Sequence, residues 1–259
     1  MGLFLQKIDF LFEYRGIGVQ NFLKADNLTK KFGSRTVVRG ASFEVATGEV
    51  VGLLGPNGAG KTTSFYMLVG LLSAGEGIVS LNGKDITKVP MHRRASMGIS
   101  YLPQNTSVFR RLSVQDNLLA VMEIVKTPKS DRRKLLDDLL NKFQIGHIRE
   151  TKGGALSGGE RRRVEIARSL IIKPKFLLLD EPFAGVDPVT VQEIQQIIAS
   201  LRNDGLGVLI TDHNVRETLG SCNRVYVLSE GAIIAQGNPE TVAENKLVKE
   251  IYLGENFKL

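Results

Sequence analysis

The sequence predicts an α/β fold with a parallel sheet at its core, an antiparallel β flank near the start and an inserted helical subdomain. Three short apolar runs bounded by Gly, Pro or Asp are typical of strands buried on both faces, namely Val50–Leu54, 176–179 and Gly207–Thr211. Amphipathic helical patterns lie between the runs, and such alternation favours parallel strands joined by helices. Between about 106 and 173 the patterns are helical, and we expect this stretch to be the inserted subdomain.

The composition is that of an ordinary globular protein, which excludes a disordered tail or a collagen-like chain. The 259 residues can bury a sizeable core, and 42% of them are hydrophobic. No apolar run approaches the roughly 18 residues that a bilayer-spanning helix needs. The single cysteine, Cys222, cannot form an internal disulfide, which suits a reducing compartment. The formal net charge of +7 fits a phosphate-bearing partner without choosing among nucleotide, nucleic acid and anionic lipid.

The beginning of the chain is predicted to be separate from the rest. The first dozen residues are strongly apolar, but Lys7, Asp9 and Glu13 interrupt the run and no signal-peptide cleavage pattern follows. Three interpretations stay open: an amphipathic docking segment, a disordered extension, or a start codon read too far upstream. We therefore predict an N-terminal extension at 1–20, disordered or not native, and a folded domain at 21–259.

Antiparallel strands are expected first, with turns at Gly33-Ser34 and Thr47-Gly48. The first core strand, Val50–Leu54, then leads into a glycine-rich stretch of the pattern G-x-x-x-x-G-K-[ST]. That stretch is Gly55, Pro56, Asn57, Gly58, Ala59, Gly60, Lys61 and Thr62, with Thr63 directly behind it.

This pattern predicts a P-loop NTPase with a parallel sheet of the RecA type. Glycines let the backbone wrap around the phosphates of a nucleotide, and the helix that follows points its positive dipole end at them. Lys61 would neutralise the β- and γ-phosphate oxygens, and the Thr62 hydroxyl would be a Mg²⁺ ligand.

Two helices are predicted within the inserted subdomain. Ser130 is expected to cap the first, whose inward face is Leu135, Leu136, Leu139, Leu140 and Phe143. Ser157 is expected to cap the second, whose apolar stripe is Val164, Ala167, Leu170 and Ile171. Gly158 and Gly159 expose the first N–H groups of this second helix, which makes another anion site. Because one nucleotide seldom needs two helix N-termini from one chain, we expect Ser157, Gly158 and Gly159 to close on the γ-phosphate held by another copy.

Two adjacent carboxylates, Asp180 and Glu181, end the apolar run at 176–179. The carboxyl ends of parallel strands face the ligand crevice of an open sheet, so both belong to the predicted site. Asp180 is expected to reach Mg²⁺ through water, because Mg²⁺ keeps much of its hydration shell. Adjacent strand residues point to opposite sides, which leaves Glu181 to polarise the attacking water in line with the γ-phosphate.

The remaining signals concern the last third of the chain. Asp187 and Pro188 predict a helix start, with Val191, Ile194, Ile198 and Leu201 inward and Gly205 beyond the end. His213 lies just beyond the strand run Gly207–Thr211, about thirty residues after Glu181. A lone histidine is more often a surface or core residue, but at this position it is a candidate for gripping the γ-phosphate or the water. Ser229-Glu230-Gly231 predicts a hairpin turn.

Taken in order, these motifs resemble the set found in the ATPase subunits of ABC transporters. The counterparts are Gly55 to Thr62 for Walker A, Gln104 for the Q-loop, Leu156 to Glu160 for the signature, Leu179 to Glu181 for Walker B, Asp187 for the D-loop and His213 for the H-loop. The resemblance implies a head-to-tail homodimer with two ATP molecules, each held between Walker A of one copy and the signature of the other. It also implies that Phe32, where the family often has Tyr, stacks on adenine, and that Gln104 senses Mg²⁺ and water.

ABC proteins that act on nucleic acids usually have two nucleotide domains, a long coiled coil or zinc cysteines, so this chain fits a detached subunit that drives a membrane protein. More closely still, it resembles the ATPases of lipopolysaccharide export transporters, mainly through the runs 109–114 and 252–259. Residues 1 to about 20 have no counterpart there, which favours a misread start codon.

That closer resemblance implies two transmembrane permease subunits and a place on the cytoplasmic face of the inner membrane, with no nucleic acid bound. Candidate contacts to the permeases are Phe109, Arg110, Arg162 and Arg168, although a solvated helix face is the alternative for Arg161 to Arg163. Two competing functions stay open: the ATPase of a branched-chain amino-acid importer, and a non-transport regulator that binds nucleic acid or a soluble partner. Phe257 either packs back on the domain or stabilises the dimer.

Overall fold

The computed structural model describes residues 20–257 and residue 259. The predicted N-terminal extension lies outside these residues, apart from Gln20. The described chain divides into two compact units. We call Gln20–Thr106 with Pro174–Leu259 the sheet unit, and Ser107–Lys173 the helical unit.

The strands form two sheets, both in the sheet unit. Their bounds are β1 (Phe22–Phe32), β2 (Arg35–Ala46), β3 (Val50–Leu54), β4 (Glu76–Leu81), β5 (Lys84–Asp85), β6 (Ile99–Leu102), β7 (Phe176–Asp180), β8 (Gly207–Thr211), β9 (Arg224–Ser229) and β10 (Ala232–Gly237). One sheet has the order β2-β1-β4-β5 and the other the order β10-β9-β3-β8-β7-β6.

The helices are divided between the two units. Their bounds are α1 (Lys61–Val69), α2 (Met91–Ser96), α3 (Val114–Ile124), α4 (Lys129–Lys142), α5 (Gly158–Leu170), α6 (Pro188–Asn203), α7 (Val215–Leu219), α8 (Pro239–Glu244) and α9 (Lys246–Val248). Helices α3, α4 and α5 lie in the helical unit, and a π-helical turn at Lys249–Leu253 follows α9.

The predicted core strands are confirmed. Strand β3 pairs in parallel with β8 on one side and with β9 on the other, and β7 lies between β8 and β6. Every residue of β3, β7 and β8 is buried, as the continuous apolar runs require. Parallel pairing brings the carboxyl ends of β3, β7 and β8 to one edge of the sheet, where the glycine-rich loop, Glu181 and His213 follow them.

The antiparallel flank is also present, with strands longer than the short ones expected. Strand β1 pairs with β2 from Phe22 opposite Ala46 to Phe32 opposite Arg35, around the predicted turn at Gly33-Ser34. Irregular register between Ala25 and Leu28 marks a bulge, and bulges let a long strand bend while its core face stays buried. The β9–β10 turn is Glu230-Gly231 alone, with φ of 47° and 85°, the left-handed pair that a two-residue hairpin favours.

The predicted cap of α4 is wrong. Pro128 leads directly into the helix, so α4 begins at Lys129 and Ser130 lies in its first turn. The Ser130 hydroxyl donates to the Asp131 carboxylate at 2.8 Å instead of capping. The predicted inward face is nevertheless confirmed, since all five of its side chains are buried. Asp187 and Ser157 do cap α6 and α5, whereas Val191 on α6 is only half-buried.

Candidate active site

The glycine-rich loop after β3 is shaped by close backbone approaches. Gly55 has a φ of 145°, and a Cβ there would come within 1.9 Å of the Leu228 carbonyl oxygen. Gly60 caps α1 with a φ of 101°, and its Cβ would come within 2.8 Å of the Val37 carbonyl oxygen. Side chains are therefore excluded at two points of the loop, and the backbone follows a path that only glycine permits.

Lys61 folds back along this loop from the first residue of α1. Its Nζ donates to the carbonyl oxygens of Gly55 at 2.6 Å and Pro56 at 3.0 Å. Burial lowers the pKa of Lys61, and the negative charges of Glu181 and Asp212 oppose that shift. The ammonium group is thus held over the loop, close to the acids that follow β7 and β8.

Three predicted residues meet around the Glu181 carboxylate. The Gln104 side-chain amide donates to Glu181 Oε2 at 2.6 Å, and His213 Nδ1 lies 3.3 Å from the same oxygen. Glu181 has a φ of 47°, a left-handed conformation that is strained for a residue with a side chain. Its N–H donates to the Thr211 carbonyl at 2.6 Å, which ties the end of β7 to the end of β8. Because of this turn, the direction of the Glu181 side chain is not set by the alternation of side chains along β7.

Asp180 sits in a different environment from its neighbour. It is 3% exposed, and the Tyr101 hydroxyl donates to its Oδ2 at 3.4 Å. Thr62, by contrast, is exposed at the start of α1, and Thr63 is half-buried. Asp180 and Thr62 offer carboxylate and hydroxyl oxygens, and Gln104 adds an amide oxygen that its bond to Glu181 does not use. Such oxygens are the donors that Mg²⁺ prefers, so the residues fit that ion.

Phe32 lies at the end of β1 with about half of its surface exposed. The Lys30 ammonium approaches its ring to 5.6 Å from the centroid. Nearby residues and the glycine loop border a cavity of about 440 Å³, lined by Ser34, Arg35, Thr36, Val37, Arg39, Gly58 and Glu230. The Phe32 ring does not itself line this cavity, but its exposed face is available for stacking on a flat base.

In the helical unit, the signature stretch forms a capping box. The Ser157 hydroxyl accepts from the Glu160 N–H at 3.3 Å, and the Glu160 carboxylate accepts from the Ser157 N–H at 2.8 Å. The Ser157 bonds lower the pKa of Glu160, because they favour the ionised carboxylate. Ser157 and Gly158 are exposed, whereas Gly159 is buried. The box fixes the direction in which the first N–H groups of α5 point.

The candidate partner contacts differ in exposure. Phe109 is 42% exposed, the Arg168 guanidinium lies 4.5 Å from its ring centroid, and Arg110 is exposed. The Arg162 side chain is only 7% exposed and pairs with Glu165 at 3.3 Å. Arg162 is therefore much less accessible than Phe109 or Arg110, and its role as a partner contact stays a prediction.

Comparisons with known proteins place the chain in a family. The family model described as ABC transporter matches residues 38–184. The chain belongs to the ABC transporter family. The lipopolysaccharide export system ATP-binding protein LptB of Haemophilus influenzae is 59% identical over 241 residues, covering 92% of this chain and 100% of that protein. The protein of the same name from Escherichia coli is 54% identical over 238 residues, covering 92% and 99%.

Solved structures agree with this assignment. A nucleotide-free ATP-binding cassette from an ABC transporter matches with a TM-score of 0.82 and 31% identity, over 91% of this chain and 100% of that one. Another ATP-binding cassette, in its ADP conformation, matches with a TM-score of 0.81 and the same identity, over 91% and 99%. The predicted family, fold class and ATPase activity are confirmed. Within residues 20–257, the structure has no helix with the length and apolarity that a membrane crossing requires.

Sequence reasoning missed one residue of this ABC site. Asp212 is fully buried directly after β8, and it accepts from the Phe183 N–H at 2.9 Å and the Asn214 N–H at 2.8 Å. Burial raises the pKa of Asp212, and the two backbone donors oppose the shift. Asp212 holds the segment behind Glu181 against the His213 turn. Its position after a buried strand, like that of Asp180, was the signal that could have revealed it.

Proposed function

We propose that this chain is the ATP-hydrolysing subunit of a lipopolysaccharide export transporter. The observation that carries the proposal is 53–59% identity, over essentially their full length, to proteins that bear that name.

The glycine loop and Lys61 would bind the phosphates. Backbone N–H groups of the loop and of the first turn of α1 would bind the phosphates there, at the positive end of the helix dipole. Lys61 now donates to two loop carbonyls, and phosphate oxygens would replace these acceptors. Phe32 would stack on the adenine.

The Mg²⁺ role falls to oxygen donors at the edge of the sheet. Thr62 would bind the ion directly, Asp180 through water, and Gln104 would complete the set. When bound, the ion neutralises charge on the phosphate oxygens. Asp180 is 3% exposed, so its carboxylate has little water of its own to give up on making this contact.

Glu181 would polarise the attacking water. Gln104 and His213 both contact the same oxygen, Oε2, so the bonds that hold the carboxylate leave Oε1 to accept from the water. The general base is thereby oriented before the substrate arrives, which lowers the cost of reaching the reactive geometry. His213 would also donate to the γ-phosphate or to the water.

A second copy would complete each site. The exposed Ser157 and Gly158, with Gly159 behind them, would close on the γ-phosphate held by Lys61 of the other protomer. Two ATP molecules would then be enclosed by a head-to-tail homodimer, and hydrolysis would reopen it. The dimer would do work through the difference in ATP affinity of its closed and open states.

Two permease subunits would transmit this motion. Phe109 offers an exposed aromatic anchor with Arg110 and Arg168 beside it, which suits a short helix of a partner. The chain would thus be held at the cytoplasmic face of the inner membrane through its partners, and lipopolysaccharide would not touch it.

Reconstitution tests the proposal. The chain is purified with the membrane proteins it captures and placed in vesicles that contain lipopolysaccharide, and release to a periplasmic acceptor protein is measured. The proposal expects release that depends on ATP and stops when ATP is withheld. Capture of an amino-acid permease, or recovery of the chain with nucleic acid and without membrane subunits, would contradict it.

A further inference from the structure

The segment after Gln104 reaches Phe109 without regular secondary structure. We call residues 107–112 the contact loop. On its far side, the buried Asn117 of α3 accepts from the Phe109 N–H at 2.8 Å and donates to the Phe109 carbonyl at 3.1 Å. Main-chain bonds from Gly153 and Gly154 hold the carbonyls of Leu112 and Arg110. The N–H of Phe109 is instead bound by a side chain of a neighbouring helix.

Helix α5 binds the first residue of the contact loop, Ser107, through two side chains. Glu165 Oε1 accepts from the Ser107 N–H at 2.6 Å, and Arg168 donates to the Ser107 carbonyl at 2.5 Å. Arg168 also stacks on the Phe109 ring. Both polar main-chain groups of Ser107 are therefore bound by side chains of a single helix.

Packing alone does not explain why a carboxylate occupies the buried position of Glu165. Glu165 is 4% exposed, and its second oxygen accepts from Arg162 at 3.3 Å. Burying an ion pair is costly, and apolar residues of similar volume often stabilise a core as well or better. A charged acceptor, on the other hand, makes a shorter and stronger bond to an N–H group than a neutral one. The arrangement favours a firm hold on Ser107 over maximal stability.

Helix α5, which binds Ser107, begins at the signature stretch. Glu165 lies eight residues beyond Ser157, a distance of about 12 Å along a continuous helix. We infer that Glu165 is a positioning residue that joins α5 to the contact loop, so that a displacement at Ser157 moves Phe109 as well. This inference rests on the proposed function, because it takes Ser157 as the nucleotide end and Phe109 as the permease end.

Hydrogen exchange on the isolated chain tests the inference without relying on transport. Exchange is followed at 107–109 and at 157–160, with and without ATP and Mg²⁺, in the wild-type chain, Glu165→Ala, Glu165→Gln and the control Glu123→Ala. The Glu123 side chain lies in the same unit, 66% exposed, and pairs with Arg132. In the wild type and the control, ATP should slow exchange at both segments.

In Glu165→Ala the response at 157–160 should persist, and the response at 107–109 should shrink by about 2- to 30-fold. Glu165→Gln keeps an acceptor for the Ser107 N–H, so it should give an intermediate response, and it decides the matter if the alanine variant does not fold. An undiminished response at 107–109 in both variants would overturn the inference. Joint loss at both segments would also overturn it, since that result would indicate a defect in α5 as a whole.

A second measurement separates this inference from the proposed function. In vesicles containing the membrane subunits, Glu165→Ala should lower the lipopolysaccharide released per ATP hydrolysed by a similar factor. If the wild-type complex releases no lipopolysaccharide, the proposed function is wrong. The hydrogen-exchange result still tests the role of Glu165 in that case.

Discussion

The sheet unit and the helical unit hold their functional residues by different means. In the sheet unit, backbone geometry fixes the site: glycines at positive φ, a strained Glu181 and main-chain bonds between the ends of β7 and β8. In the helical unit, the buried side chains of Asn117 and Glu165 bind the main chain of an irregular loop, in addition to a few main-chain bonds. Backbone constraints admit few residue types, whereas side-chain clamps admit many. A nucleotide site can therefore be recognised in a sequence more readily than a partner site.

The largest effect is expected where the sheet unit loses its general base. Glu181→Gln should lower ATP turnover by about 10²- to 10⁴-fold, because an amide cannot accept the proton of the water. ATP binding should be retained, since the phosphate cradle is untouched. Turnover and nucleotide affinity are measured on the purified chain.

The matched control is Glu244→Gln, an exposed acid at the end of α8. It should leave turnover unchanged. If Glu181→Gln and this control hydrolyse ATP equally fast, the water-polarising role belongs to another group and the assignment around Glu181 is wrong.

The next effect concerns the one charged side chain in the glycine loop. Lys61→Ala should weaken ATP binding by about 10- to 150-fold, the loss expected for hydrogen bonds to a charged partner. The exposed Lys84→Ala serves as the control for removing a positive charge. Calorimetric titration with ATP compares the two variants. Equal ATP affinities of Lys61→Ala and Lys84→Ala would mean that backbone groups alone hold the phosphates.

The smallest difference is expected between two glycines of the same loop, and it tests the backbone constraint itself. Both Gly55 and Gly58 have positive φ, but a Cβ at Gly58 meets nothing within 4 Å. Gly58→Ala should therefore cost only the left-handed strain of about 1–2 kcal/mol in the free energy of unfolding. Gly55→Ala should cost about 1–3 kcal/mol more, because Leu228 must move. Equal costs in denaturant unfolding would show that close backbone approach does not shape the loop.

Much of the sheet unit could be predicted from the sequence for a physical reason. A strand buried on both faces must be apolar throughout, and a loop that wraps a phosphate must contain glycine at fixed spacing. Asp180, Glu181 and His213 were predicted because each lies at or just beyond the carboxyl end of such a strand. Asp212 also follows such a strand, but it was not predicted because the neighbouring His213 was assigned the role at that strand end.

The helical unit was predicted less completely. Its helices and the Ser157 cap follow from local patterns, but the Ser130 cap was wrong because the helix begins after Pro128, two residues earlier than expected. Arg162 is buried beside Glu165, which in turn binds Ser107 of the contact loop. Ser107 and Glu165 are 58 residues apart in the chain. Periodicity carries no information about contacts at that separation.

The central claim is that one chain's Lys61 and another chain's signature stretch form a single site. Mixing two variants tests it at an ATP concentration too low for Lys61→Ala to bind: Lys61→Ala retains an intact signature, and Ser157→Arg retains an intact glycine loop. If the site is shared between copies, the mixture should recover ATP hydrolysis that neither variant has alone, because mixed dimers contain one complete site. A mixture as inactive as its components, with mixed dimers demonstrated by differential tagging, would contradict the account.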